Sequence, residues 1–257
     1  MKRWLLVGIA LAGLLVGSCG ESSKITPPED PTARLRELIA QTPRADEEAE
    51  MAALWMCGEL VAPESTYVQV REALKRVRQQ FGTSIPRLRE LKFRHEWSFR
   101  RINLILTAQG AEDYRAGHHF EIDSLTELLN GETMDTTVHV YNNRFEVQIQ
   151  FAGRLYIDSV ESKYLEFPAV GSFNRYGWDG DHENIYPWRL SDGRLTLLFR
   201  DAWGDCENGC IENHFWYVRI SGGSVEYVGE YIPDYVSPPP DWWDEAKAGY
   251  YHFDGRD

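Results

Sequence analysis

The sequence predicts an α+β protein in three successive parts: helices, then a β-α-β-β-α-β unit, then an antiparallel β-meander. Three observations carry this expectation. Before residue 82 the apolar residues recur at helical spacing. Between 100 and 178, helical stretches and stretches of alternating polarity follow one another. After 184 the chain consists of short β-rich runs separated by turn residues. With 257 residues, 43% hydrophobic and 13% aromatic side chains, it has enough apolar surface to build a core.

Each element has its own reason. Residues 32–41 and 46–59 read as helices, with Leu35, Leu38 and Ile39 on one face. Pro63 suits the first turn of a longer helix. There Tyr67, Val70, Leu74, Val77 and Phe81 form the inward stripe and Gly82 the stop. Arg71, Lys75, Arg76 and Arg78 fall outside the stripe and read as a solvated face. Residues 102–106 read as a strand and 112–130 as a helix in two pieces. Ser124 and Glu127 have capping-box spacing for the second piece, and Gly131 is its stop. A strand over 136–141, a turn at Asn142-Asn143 and the alternating Phe145, Val147, Ile149 and Phe151 make a hairpin. Residues 156–167 read as a helix with Val160, Tyr164 and Leu165 inward, and 169–178 as the closing strand. This is the order of a ferredoxin-like unit.

Four strands come next, at 185–188, 195–203, 215–220 and 225–232. Ser191-Asp192-Gly193 and Ser221-Gly222-Gly223 form turns between them. Pro238-Pro239-Pro240 ends the sheet, and an aromatic, acidic tail carries Trp242, Trp243, Tyr250, Tyr251 and Phe253. The expected parts are residues 1–18, 19–31, 32–99, 100–178 and 179–257.

The first of these parts sets the compartment. Lys2 and Arg3 precede an apolar run over residues 4–16, which suits a signal segment and is too short to span a bilayer. Val16-Gly17-Ser18-Cys19, which begins at the run's last residue, resembles the bacterial lipobox. The resemblance implies a bacterial lipoprotein: residues 1–18 are a signal peptide and Cys19 carries the acyl chains. Each buried methylene of those chains contributes about 0.8 kcal/mol. Residues 20–31 are polar and proline-containing, as a tether is. The expected location is the bacterial cell envelope, held to the membrane by lipid. The 27 basic and 40 acidic residues give a net charge of −13, which argues against a nucleic-acid partner.

Four cysteines are present: Cys19, Cys57, Cys206 and Cys210. In an exported chain with Cys19 lipidated, Cys206 and Cys210 are the natural disulfide pair, because Asn208-Gly209 between them favours a turn. Two other readings stay open. Cys206, Cys210 and His214 recur every four residues and are ligand types that zinc accepts. The two thiols could also be catalytic, although a redox pair uses a different spacing. Cys57 has apolar neighbours and reads as a buried free thiol. Residues 201–217 resemble a segment of a group of uncharacterised bacterial lipoproteins. The residues that carry the likeness are Gly204, Asp205, Cys206, Gly209, Cys210, His214, Trp216 and Tyr217. That resemblance implies a lipoprotein and brings no activity with it.

Candidate sites are few. Asp179, Asp181 and Glu183 gather oxygen ligands around Gly180, in the manner of a calcium loop but without a full EF-hand pattern. Asp205 and His214 are the candidate acid–base pair of a hydrolase. Trp242 and Trp243 are the expected exposed aromatic surface for a ligand. No G-x-S-x-G, P-loop or H-E-x-x-H motif is present. The leading expectation is a lipid-anchored envelope protein that binds a protein or glycan partner, with no cofactor and no chemistry. The middle region is similar in topology to the propeptide and inhibitor domains of subtilisin-like proteases, which implies an inhibitor or chaperone as an alternative. A hydrolase using Asp205 and His214 is the other.

Overall fold

The computed structural model describes residues 31–94, 97–139, 144–177, 183–206, 210–233 and 238–253. The expected signal segment, Cys19, residues 20–30 of the expected tether, the expected turns at Asn142-Asn143 and Asn208-Gly209, Asp179 and Asp181 lie outside the described residues. The protein is α+β, with two antiparallel four-stranded sheets among the described residues. No helix among the described residues is long and apolar enough to cross a membrane.

Among the described residues four helices come first: α1 (Pro31–Ile39), α2 (Glu47–Cys57), α3 (Glu64–Phe81) and the short α4 (Arg87–Glu90). Asp46 caps α2, its carboxylate accepting from the Ala49 N–H at 3.0 Å. Gly58 closes it in the left-handed region at φ 62°, donating its N–H to the Leu54 carbonyl. In α3 the predicted stripe is buried through Tyr67, Val70, Leu74 and Val77, while Phe81 is half-buried.

The basic face of α3 is not simply solvated. Arg78 reaches across to α2 and donates to both oxygens of Glu48, at 2.8 and 2.6 Å, and to the Leu91 carbonyl. Burial pushes the Glu48 carboxyl up, but the Arg78 hydrogen bond and charge, the Phe93 N–H and Lys92 outweigh it. The Glu48 pKa therefore lies below its ordinary value. A lowered carboxylate pKa contributes stability above the unfolded pKa, and that stability is lost as pH falls through the folded pKa. Glu48→Gln is accordingly expected to flatten the acid limb of stability below about pH 4, read by urea unfolding across pH. An unchanged acid limb would refute this role.

The middle unit comprises β1 (Trp97–Leu106), α5 (Ala108–Arg115), α6 (Phe120–Leu128), β2 (Gly131–His139), β3 (Arg144–Phe151), α7 (Ile157–Tyr164) and β4 (Val170–Gly177). Its sheet runs β2-β3-β1-β4 with every neighbour antiparallel. Each helical crossover thus joins two parallel strands with an antiparallel one between them. The alternating Phe145, Val147, Ile149 and Phe151 are all buried, packing with Ile102, Leu104, Val160 and Tyr164. Three expectations fail here. Ser124 does not cap a helix, because α6 starts at Phe120 and buries Ile122 and Thr126 through its middle. Gly131 is not the stop: Asn130 takes the left-handed conformation at φ 54° and Gly131 opens β2, Asn tolerating that region better than most residues. Leu165 lies just past the end of α7 and is exposed rather than inward.

The second sheet contains β5 (Asn184–Arg189), β6 (Leu195–Trp203), β7 (Glu212–Ser221) and β8 (Ser224–Tyr231), in that order. It is covered on both faces, which is why β6 is buried almost throughout rather than alternating. One face packs Leu195, Leu197, Phe199, Trp216 and Val218 against α2 and α3. The longer helices of the 32–99 segment thus share a core with the C-terminal sheet. The other face packs against α8 (Trp243–Phe253), a helix where the sequence showed only an aromatic tail. β1 links the cores: Phe99 belongs to the first, and Ile102, Leu104 and Leu106 to that of the middle unit.

Candidate functional site

The stapled loop lies between β6 and β7. These strands pair from Leu195↔Ile220 to Trp203↔Glu212, and the chain turns back between them. The Cys206 and Cys210 sulfurs are at disulfide distance, 2.11 Å, with Cα atoms 4.0 Å apart. Sulfurs bonded to each other are not thiolate ligands, and His214 lies on a strand rather than on a shared helical face. Gly204 has φ 100°, and Ile211 crowds the side where a Cβ would stand. A glycine is required there on both counts. A loop this short removes little unfolded-chain entropy, so Cys206→Ser with Cys210→Ser is expected to cost only about 1–2 kcal/mol. Denaturant midpoints measure that cost, and non-reducing peptide mapping checks the bond. Two free thiols would overturn the pairing. Among the described residues Cys57 is the free cysteine; it is half-buried, its Sγ–H donating to the Leu54 carbonyl, and burial raises its pKa.

At this end of the sheet the helix-side face has polar residues. Asp201 pairs in register with His214, and Trp216 with Glu230. Alternation adds Trp203 and Glu212 to the same face. His214 Nε2 lies 3.0 Å from a Glu230 oxygen, which also accepts from Trp216 Nε1 at 3.1 Å. The imidazole lies over the Trp216 ring, with centroids 3.8 Å apart. Arg87 of α4 donates Nε to Asp201 at 2.7 Å and also pairs with Glu90. These bonds raise the Arg87 pKa further, so it stays a cation.

The expected pair of Asp205 and His214 is thus differently furnished. Asp205 is exposed in the turn after Gly204, and the ring of His214 is held by Glu230. Neither Glu230 nor Arg87 was singled out in the sequence. Glu230 lies on a different strand and Arg87 more than a hundred residues away, so only strand order and helix packing bring them here. The apolar residues around this end are exposed: Trp203 at 46%, Ile211 at 70% and Ile232 at 52%.

The other candidates sit elsewhere. Trp242 and Trp243 are not the exposed surface expected of them. Both are half-buried against the opposite face, Trp242 stacked on Tyr217 at 5.3 Å and Trp243 against Phe215 at 4.8 Å. Flat indoles cover the outer face of an otherwise open sheet and lose water by doing so. Gly229 leaves room for this, since a Cβ there would lie 2.9 Å from Trp242 Nε1. Glu245 fastens α8 to the sheet by accepting from Tyr217 and Arg219, each at 2.6 Å. Of the candidate calcium ligands only Glu183 is among the described residues, and it pairs with Arg94 at 3.3 Å. Among the described residues no group of three or more His, Cys, Asp or Glu side chains is placed to hold a metal ion. No protein-family model matches the chain, and neither a curated protein nor a solved structure does.

Proposed function

We propose that the protein is a lipid-anchored component of the bacterial envelope whose body binds a protein partner at the β6–β7 end of its second sheet, without chemistry. The observation that carries this reading is the site itself. Three exposed apolar side chains lie at this end of the sheet, Trp203 and Ile211 in the hairpin whose loop is cross-linked and Ile232 just after β8. Apolar side chains held in a fixed frame lose little entropy on binding, which is what an interaction surface needs. The polar groups there are engaged with one another, His214 by Glu230 and Asp201 by Arg87, as in a preset rim rather than an activated nucleophile. The lipobox at Cys19 and the tether after it support presentation of this surface away from the membrane.

The test is site-specific photo-crosslinking in a bacterial envelope. A photoreactive residue at position 211 of the full chain should give a discrete adduct, and one at exposed position 120, on the middle unit, should not. Uptake of labelled fatty acid, abolished by Cys19→Ala, tests the anchor separately. Equal crosslinking from both positions, or none from 211, would refute the binding surface.

A further inference from the structure

The binding surface at the β6–β7 end also constrains the chemistry of its partner. Resting on that surface, we propose that the open end of the second sheet takes an extended segment of a partner protein with the pattern apolar-x-basic-x-apolar, laid diagonally across β6, β7 and β8.

The spacing comes from the register. Trp203 ends β6, and Ile232 comes after β8, one residue past the Phe215↔Tyr231 pair. Continued by one residue, that register sets Ile232 beside His214, which itself pairs with Asp201. Trp203 and Ile232 are therefore two strands apart and two residues out of step. Strands lie about 4.8 Å apart and rise about 3.3 Å per residue, so the diagonal is roughly 12 Å. An extended chain puts side chains i and i+4 on one face about 13 Å apart, with i+2 midway. Two apolar side chains of such a segment reach Trp203 and Ile232 together. The middle one falls over β7, between Glu212 and the His214–Glu230 pair.

Charge selects that middle residue. Among the described residues, the charged groups at this end include Arg87 and Glu90 of α4, Asp201 on β6, Asp205 in the turn, Glu212 and His214 on β7, and Glu230 on β8. Arg87 is taken up by Asp201 and Glu90. Carboxylates outnumber cations among these groups, on a chain of net charge −13, so the surface is acidic. An arginine or lysine at i+2 meets Glu212 and Glu230, and its cation also lies within reach of the Trp203 indole face.

Fluorescence anisotropy of dye-labelled peptides with the full chain in detergent tests this. The probes are Leu-Ser-Arg-Ser-Leu, Leu-Ser-Glu-Ser-Leu and Ser-Ser-Arg-Ser-Ser, each between glycine-serine flanks. The first is expected to bind, more weakly as salt rises, and the other two about tenfold less well. Trp203→Ala and Glu212→Gln should each weaken the first peptide about tenfold with the melting temperature kept, since both side chains are exposed; Phe120→Ser should leave it unchanged. Equal binding of all three peptides, binding kept in Trp203→Ala, or no binding of any peptide would overturn the proposal. A specific adduct from position 211 combined with no peptide binding would sink this proposal alone. Loss of the adduct as well would sink both.

Discussion

Glu50→Ala is expected to lower the free energy of unfolding by about 3–5 kcal/mol, the cost of leaving a buried charge without its partner. Glu50 is fully buried on α2. One of its oxygens accepts from the Arg44 N–H at 3.0 Å and from Arg154 Nη1 at 2.8 Å. Arg154 is itself buried, in the segment between β3 and α7, and also pairs with Glu47. Arg44 donates to the Ala62 carbonyl and stacks over Tyr67. One carboxylate therefore ties the β3–α7 connection of the middle unit to the helices that carry the second sheet. Removing it leaves the buried Arg154 guanidinium with only Glu47 and the buried Arg44 N–H without its acceptor. Replacing Glu50 and Arg154 together by methionine should cost much less than either single loss, because no buried charge then lacks a partner. Urea unfolding of the two single variants and the double variant measures this. A Glu50→Ala loss under about 1 kcal/mol would show that this carboxylate is not the tie described.

Phe151→Ala is expected to cost about 3–5 kcal/mol, from lost burial and the cavity left behind. Its ring is fully buried at the end of β3 and lies over Gly131, where a Cβ would stand 2.9 Å from Phe151 Cδ1. The two residues are register partners, so the ring uses the space that glycine leaves across the strand pair. Phe151→Leu should recover most of the loss, since it refills much of the volume. Thermal and urea unfolding decide it. A loss no larger than that of an exposed substitution such as Phe120→Ser would contradict the packing.

The acid–base reading of His214 makes a different demand. A hydrolase would lose activity in His214→Ala with its fold intact. The binding reading predicts that the same change leaves the stapled hairpin folded and alters only partner capture. The distinction matters because Glu230, the group that orients the imidazole, also accepts from the Trp216 indole and so supports the sheet.

By itself the sequence determined the periodic elements and the connection chemistry. The α3 stripe and the alternation in β3 arise from local spacing, since one buried face imposes a period on the chain, while the strand at 195–203 and the glycine turns follow from local residue type. The Cys206–Cys210 pairing was legible too, because a turn between two nearby cysteines is a local fact. Tertiary structure alone decided which carboxylate meets which cation. Glu50 with Arg154, Arg78 with Glu48 and Arg87 with Asp201 are pairs of distant residues that no spacing rule connects. It also decided α8, whose aromatic residues and Gly249 are poor helix formers. That helix forms because the sheet offers Tyr186, Leu198, Phe215 and Tyr217 to cover, and Gly249 sits where a Cβ would meet Trp188 at 2.8 Å. For the same reason Trp242 and Trp243 looked exposed in the sequence and are half-buried in the fold. A sheet face that needs covering takes the nearest apolar segment, and nothing in the local sequence of that segment records the need.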